Sequence, residues 1–185
     1  MKKTPFLFLF LILTLSAELI FAQEDTTKTF NYYVIKVGNN LLGPTLGIWA
    51  NGINLTLGGN YEYELREFGP GVLGIGGLIR FWAQSDNVAG LKIEFKNTTL
   101  AAQANYNFTN LPYDNWIPFI GIVLGYNSVS FKSNYSNVGS IGSSLILWGQ
   151  AGVRYFIKPN LALVARFGAG NNDFIVPEVG VDFKF

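Results

Sequence analysis

Phe174-Ile-Val-Pro-Glu-Val-Gly-Val-Asp-Phe-Lys-Phe185 is the stretch on which the reading of this sequence turns. Its odd positions carry Ile175, Pro177, Val179, Val181, Phe183 and Phe185; its even ones include Glu178, Gly180, Asp182 and Lys184. Successive side chains on a strand point to opposite faces, so a period of two gives one apolar face and one polar or glycine face. An aromatic on the apolar side at the last position is out of place in a soluble domain. It fits a strand whose apolar face meets lipid and which closes a barrel.

Working outward, the same period recurs. In Ile53–Leu65 the apolar row is Ile53, Leu55, Leu57, Tyr61, Tyr63 and Leu65, opposite Asn54, Thr56, Gly58, Asn60, Glu62 and Glu64. Leu73, Ile75, Ile79 and Phe81 oppose Gly74, Gly76 and Arg80; Leu100 to Phe108 alternates with Gln103, Asn105 and Asn107. Leu147–Tyr155 sets its apolar row against Gln150, Gly152 and Arg154, and Leu161–Phe167 sets its own against Arg166. Ile117–Phe131 is ambiguous, because Phe119 and Val123 share a row with Gly121, Gly125 and Asn127. Tyr32–Gly38, the weakest candidate, completes eight segments. Short turn-rich links at 66–70, 110–116 and 158–160 alternate with longer stretches at 83–97 and 132–144, the second rich in Ser, Asn and Gly. That rhythm predicts an up-and-down meander with its short turns at one end and solvated loops at the other.

Alternation does not say which face points outward, since a soluble ligand-binding barrel puts its apolar row inside and a membrane barrel puts it outside. Residue types decide. A solvated exterior calls for Lys, Glu and Asp, yet the polar rows are mostly Gly, Asn, Thr, Gln and Ala, sized for the narrow interior of eight strands. Tyr61, Tyr63, Tyr106, Phe108, Tyr155 and Phe156 gather near the short turns, where an aromatic girdle belongs. The expected fold class is all-β: an eight-stranded antiparallel up-and-down transmembrane β-barrel.

Composition agrees. The 185 residues are 49% hydrophobic and 14% charged with a net charge of +1, against roughly a quarter charged in soluble chains. The balance gives no electrostatic case for nucleic acid. Cys and His are absent, which removes disulfides, thiol nucleophiles, His-based dyads and the usual zinc sites. At the N-terminus, Lys2 and Lys3, the apolar run Phe6–Leu15 and Ile20-Phe21-Ala22 before Gln23 read as a cleaved signal peptide. The expected division is a signal peptide over 1–22 and a barrel domain over 23–185. A membrane anchor is the alternative, disfavoured by the short run and by Glu18.

Gly69-Pro-Gly-Val-Leu-Gly-Ile-Gly-Gly77, Pro118-Phe-Ile-Gly-Ile-Val-Leu-Gly-Tyr126, Trp148-Gly-Gln-Ala-Gly-Val-Arg-Tyr-Phe156 and Val179-Gly-Val-Asp-Phe-Lys-Phe185 resemble the small outer-membrane β-barrel family, OmpX/OmpA-like and opacity-porin-like, in its Bacteroidetes-type versions. The resemblance covers most of the barrel domain but rests on architectural glycines and aromatics. It implies a bacterial outer-membrane location, periplasmic termini, outer-membrane lipid as surroundings, and a monomer. It further implies a C-terminal signal, Phe183 and Phe185, read by the barrel-assembly machinery during biogenesis. It implies no catalytic residue and no cofactor, and fold likeness fixes place rather than task.

Candidate chemistry is sparse. Gly69, Gly71 and Gly74 match a phosphate-loop spacing, but a strand follows where a helix is required. Asn-x-Ser/Thr at Asn54, Asn97, Asn107 and Asn134 is chance in an Asn-rich chain. If the apolar rows face lipid, then Arg80, Arg154, Arg166, Glu62, Glu178 and Asp182 point into the lumen, together with Lys36, as a structural ionic network. Glu178 and Asp182 lie four residues apart on one strand with no nucleophile nearby, so no enzyme and no metal site is expected. Two functions remain: a non-catalytic outer-membrane barrel, envelope-structural or surface-interacting through its extracellular loops, or a narrow porin or hydrophobic-ligand conduit. Filling of the lumen discriminates between them.

Overall fold

The computed structural model describes residues 35–49, 54–88, 91–111, 115–133, 136–170 and 175–185. The signal peptide expected over 1–22 lies outside them, as does Tyr32–Val34 of the first expected strand. Eight strands follow in order: β1 (Asn40–Trp49), β2 (Asn54–Phe68), β3 (Gly71–Val88), β4 (Leu91–Asn107), β5 (Trp116–Ser133), β6 (Ser136–Lys158), β7 (Leu161–Gly170) and β8 (Ile175–Lys184). Each pairs antiparallel with its neighbours in sequence, and β1 pairs with β8 to close the barrel. Backbone bonds between Asn40 and Phe185, 2.8 and 3.0 Å, extend that closing seam to the last residue.

The barrel is inverted relative to a soluble fold. Leu55, Leu100, Ile122 and Val179 on the outer wall are 61–66% exposed, whereas Glu62 and Arg154 inside are 1% exposed. Leaving such side chains in water would forfeit about 1.5–3 kcal/mol each; a hydrocarbon solvent removes that penalty. Phe119 and Val123 of β5 point inward and Ile120, Ile122, Leu124 and Tyr126 outward, which resolves the ambiguous segment. Near the short turns, Trp116 and Tyr155 lie 4.7 Å apart and Tyr106 and Phe108 4.9 Å apart between ring centroids. The Tyr106 hydroxyl donates to the Phe68 carbonyl (2.6 Å), and Gly69 makes the adjoining turn with φ 58°.

Four expectations are corrected. The described part of Tyr32–Gly38, residues 35–38, is not strand: the Asn39 amide donates to the Lys36 carbonyl (3.0 Å) across a turn with Gly38 at φ 87°, and β1 starts at Asn40. Leu42, Pro44, Leu46 and Ile48 of β1 face out, while Leu41, Gly43, Thr45 and Gly47 face in. Lys36 is not in the lumen but exposed at that turn, its amide donating to Asn39 Oδ1 (2.9 Å). Phe156 does not join the outer girdle. It is fully buried with Ile35, Leu41, Ile117 and Ala162 in an apolar floor across the lumen. Adjacent residues on a strand cannot share a face, and Tyr155 takes the outward one.

The fourth correction concerns the long connections. The described parts of 83–97 and 132–144 are strand, not loop: pairing runs to Val88↔Leu91 between β3 and β4, and to Ser133↔Ser136 between β5 and β6. The β2–β3 ladder ends at Leu57↔Phe81 and the β6–β7 ladder begins at Trp148↔Gly170. Strands β3–β6 therefore continue past their neighbours as a four-stranded sheet. Among the described residues, 85–88 of β3 form no ladder on the side of β2, and 136–146 of β6 form none on the side of β7.

Candidate functional site

The lumen is where the charged side chains converge. Arg80, Arg154, Arg166, Glu62, Glu178 and Asp182 are each at most 6% exposed, and Glu64, which the sequence reading left out of the charged set, is fully buried with them. They sort into two tiers.

The tier nearer the short turns is built on Arg154. Its Nε donates to Asp182 Oδ2 (2.8 Å), its Nη2 to Glu62 Oε2 (2.6 Å), and its Nη1 to Asn107 Oδ1. The guanidinium also lies 4.4 Å from the Phe119 ring centroid, a cation–π contact. Glu62 accepts further bonds from Asn105 Nδ2 (2.7 Å) and Asn107 Nδ2 (2.8 Å), and the latter also reaches both oxygens of Glu64 (3.1 Å). Small residues make the space. A Cβ on Gly74 would sit 2.8 Å from Glu62 Cγ, and one on Gly152 would sit 2.5 Å from Cζ of the Phe119 ring. The glycines of the polar rows are thus the counterparts of the large lumen side chains.

The second tier centres on Glu178. Arg80 takes both of its oxygens, Nε on Oε1 and Nη2 on Oε2 (2.7 Å). Arg166, directly across the β7–β8 ladder, reaches Glu178 Oε2 only at 3.5 Å. Asn60 Oδ1 accepts from Arg80 Nη2 (2.8 Å) and Arg166 Nη1 (3.0 Å). Between the tiers, Gln150 Nε2 donates to Asn105 Oδ1 (2.7 Å) and Gln103 Oε1 (3.1 Å). Arg166 is paired differently from Arg154, since it shares its carboxylate with a better-placed competitor.

Beyond the tiers, on the side away from the apolar floor, Leu78, Ala101, Val123, Ile146, Trp148 and Val176 form an inward apolar cluster. A lumen cavity between Arg80, Gln150, Arg166 and Glu178, bounded by Trp148 and Val176, measures about 10 Å³, the room of one water molecule. A depression of about 710 Å³ is lined mainly by apolar residues of the wall such as Leu46, Leu57, Leu163 and Val179. Among the described residues no group of three or more Asp or Glu side chains is arranged to hold a metal ion. Phe183 and Phe185, on the outward row of the closing seam, are 50% and 66% exposed.

Inward charge, outward hydrocarbon and closure over eight strands define a transmembrane β-barrel of the small outer-membrane type. Solved structures share this fold. The N-terminal β-barrel domain of Pseudomonas aeruginosa OprF is 15% identical with a TM-score of 0.59, over 80% of this chain and 98% of that one. Neisserial surface protein A is 19% identical with a TM-score of 0.58, over 80% and 97%. A de novo designed transmembrane β-barrel is 14% identical with a TM-score of 0.53, over 82% and 99%. That a designed barrel matches alongside natural ones shows that the likeness carries the fold and no particular activity. No protein-family model matches the chain, and no curated protein matches it.

Proposed function

We propose that this chain is a non-catalytic integral protein of the bacterial outer membrane that acts at the cell surface through the sheet formed by the outer parts of β3–β6. The observation that carries this reading is the pair of strand edges, 85–88 on the side of β2 and 136–146 on the side of β7, that form no ladder among the described residues at the end opposite the short turns. An unpaired edge offers a row of backbone donors and acceptors to which an extended segment of another protein adds as a further strand. The short-turn end, with the C-terminal Phe185 beside it, faces the periplasm, so the sheet projects outward. Outer-membrane lipid covers the apolar wall, and Phe183 and Phe185 serve as the assembly signal.

A filled lumen argues against the pore reading. Two ionic tiers lie between an apolar floor and an apolar cluster, and a barrel of eight strands is only wide enough for its side chains. The test is to excise 85–94 and 132–138, which joins the cross-strand partners Gln84↔Phe95 and Phe131↔Gly139. The trimmed protein is expected to fold and to lose binding of extended peptides or whole-cell adhesion. Unchanged binding would move the function away from the sheet.

A further inference from the structure

We propose that the cavity beside Arg166 is a binding site for a single small monatomic anion, chloride under ordinary conditions. The inference rests on the lumen geometry alone and is independent of what the projecting sheet does. Arg166 is 6% exposed, and its Nε and Nη2 have no hydrogen-bond partner among the described residues. Its Nη1 is occupied by Asn60 Oδ1. Glu178, the one carboxylate of this tier, is held through both oxygens by Arg80. Two buried guanidiniums therefore face one carboxylate; both border the cavity, and Arg166 is the one with the weaker pairing.

Arg166 has only a share of one carboxylate, Glu178 Oε2 at 3.5 Å from its Nε, and an incompletely compensated buried charge is costly, by several kcal/mol in typical proteins. Water in the cavity would satisfy the free N–H groups but leave the charge. A halide does both. The space of about 10 Å³ suits a particle of about one water molecule and excludes carboxylates, sulfate and sugar acids. Asn60 Nδ2, also without a partner among the described residues, adds an unused donor in the same tier. The carboxylate that borders the cavity, Glu178, is neutralised by Arg80, and the acidic excess of the lumen lies in the other tier with Arg154. The cavity is thus the cationic pocket of an otherwise acidic lumen.

The test uses the refolded barrel domain in detergent, with its unfolding midpoint followed by gel mobility in sodium gluconate, chloride and bromide at one ionic strength. Chloride and bromide are expected to raise the midpoint by several degrees over gluconate. Arg166→Gln is expected to lose that difference, and Lys158→Gln, exposed at the end of β6, to keep it. Identical midpoints in the three salts would overturn the proposal, as would an equal halide effect in Arg166→Gln. If that variant fails to fold, crystals of the unaltered protein soaked in bromide decide. An anomalous peak within hydrogen-bond reach of Arg166 supports the site; its absence there removes it.

Discussion

Replacing Arg154 by Met keeps the length of the side chain and deletes the charge on which one whole tier depends. Arg154 is 1% exposed and bonds Asp182 and Glu62 at 2.8 and 2.6 Å, over the face of Phe119. The variant leaves Glu62, Asp182 and Glu64 together in the lumen with no guanidinium among them. Removing one partner of a buried pair costs about 3–5 kcal/mol, mostly because the other charge is stranded. Lost cation–π attraction adds about 0.5–2 kcal/mol, while the methionine retains most of the packing. The expected loss for Arg154→Met is therefore about 3.5–7 kcal/mol, read from urea unfolding of the refolded domain in lipid vesicles by tryptophan fluorescence. The same account makes a second demand. Adding Glu62→Gln and Asp182→Asn should recover most of the loss, because the neutral set strands nothing. A loss below about 1 kcal/mol in the single variant, or a triple variant no more stable than the single one, would refute the reasoning about buried pairing.

Other expectations follow from the seam, the wall and the sheet. Gly43→Ala should abolish closure and the heat-modifiable gel shift, since its Cβ would collide with the backbone carbonyl of Val181 on β8; Gly59→Ala, whose nearest neighbour would be 3.8 Å away, should fold normally. A folded Gly43→Ala would contradict the seam. Phe185→Ala should lower membrane yield far more than Lys184→Ala, because the aromatic contributes about 1.5–3 kcal/mol of wall burial in lipid; equal yields would count against the assembly role. The unaltered domain should give no steady channel in planar bilayers, and a stable unitary conductance would demote the plug. Excising 85–94 should leave the gel shift intact, since Gln84 and Phe95 already face each other; loss of folding would show that the projecting sheet supports the barrel.

The reach of sequence reading here followed the strength of alternation. β8, β2, β4 and β7 declare themselves because Leu, Val, Phe and Tyr on one row oppose Asn, Gln, Glu, Arg and Gly on the other, with no competing periodicity. β1 escaped because Gly43, Pro44 and Gly47 suppress every local strand signal; Pro44 is tolerated because it falls at a gap in the β1–β8 ladder, between Leu42↔Phe183 and Thr45↔Gly180. The outer parts of β5 and β6 looked like loop because Ser, Asn and Gly prefer turns, and only pairing with a neighbouring strand overrides that preference. Phe156 was assigned by its proximity to other aromatics when its row, that of Gln150 and Arg154, already placed it inside. Glu64 lay on the inward row beside Glu62. Its partner Asn107 is 43 residues away and on a strand that does not neighbour its own, so no sequence spacing could have announced that contact.

The central claim, that the apolar rows meet lipid and the charged rows fill the core, has a direct test because the chain contains no cysteine. Leu57→Cys, Leu100→Cys and Leu163→Cys, with Thr56→Cys and Thr99→Cys as inward controls, can each carry a nitroxide label in the domain refolded into vesicles. Power-saturation measurements against oxygen and against a water-soluble nickel chelate then report the surroundings of each label. The account predicts high oxygen and low nickel accessibility at all three leucine positions, and low access to both reagents at the two threonines. Nickel accessibility at the leucines, with protection of the threonines, would mean that the outer wall faces water and would contradict the membrane barrel outright.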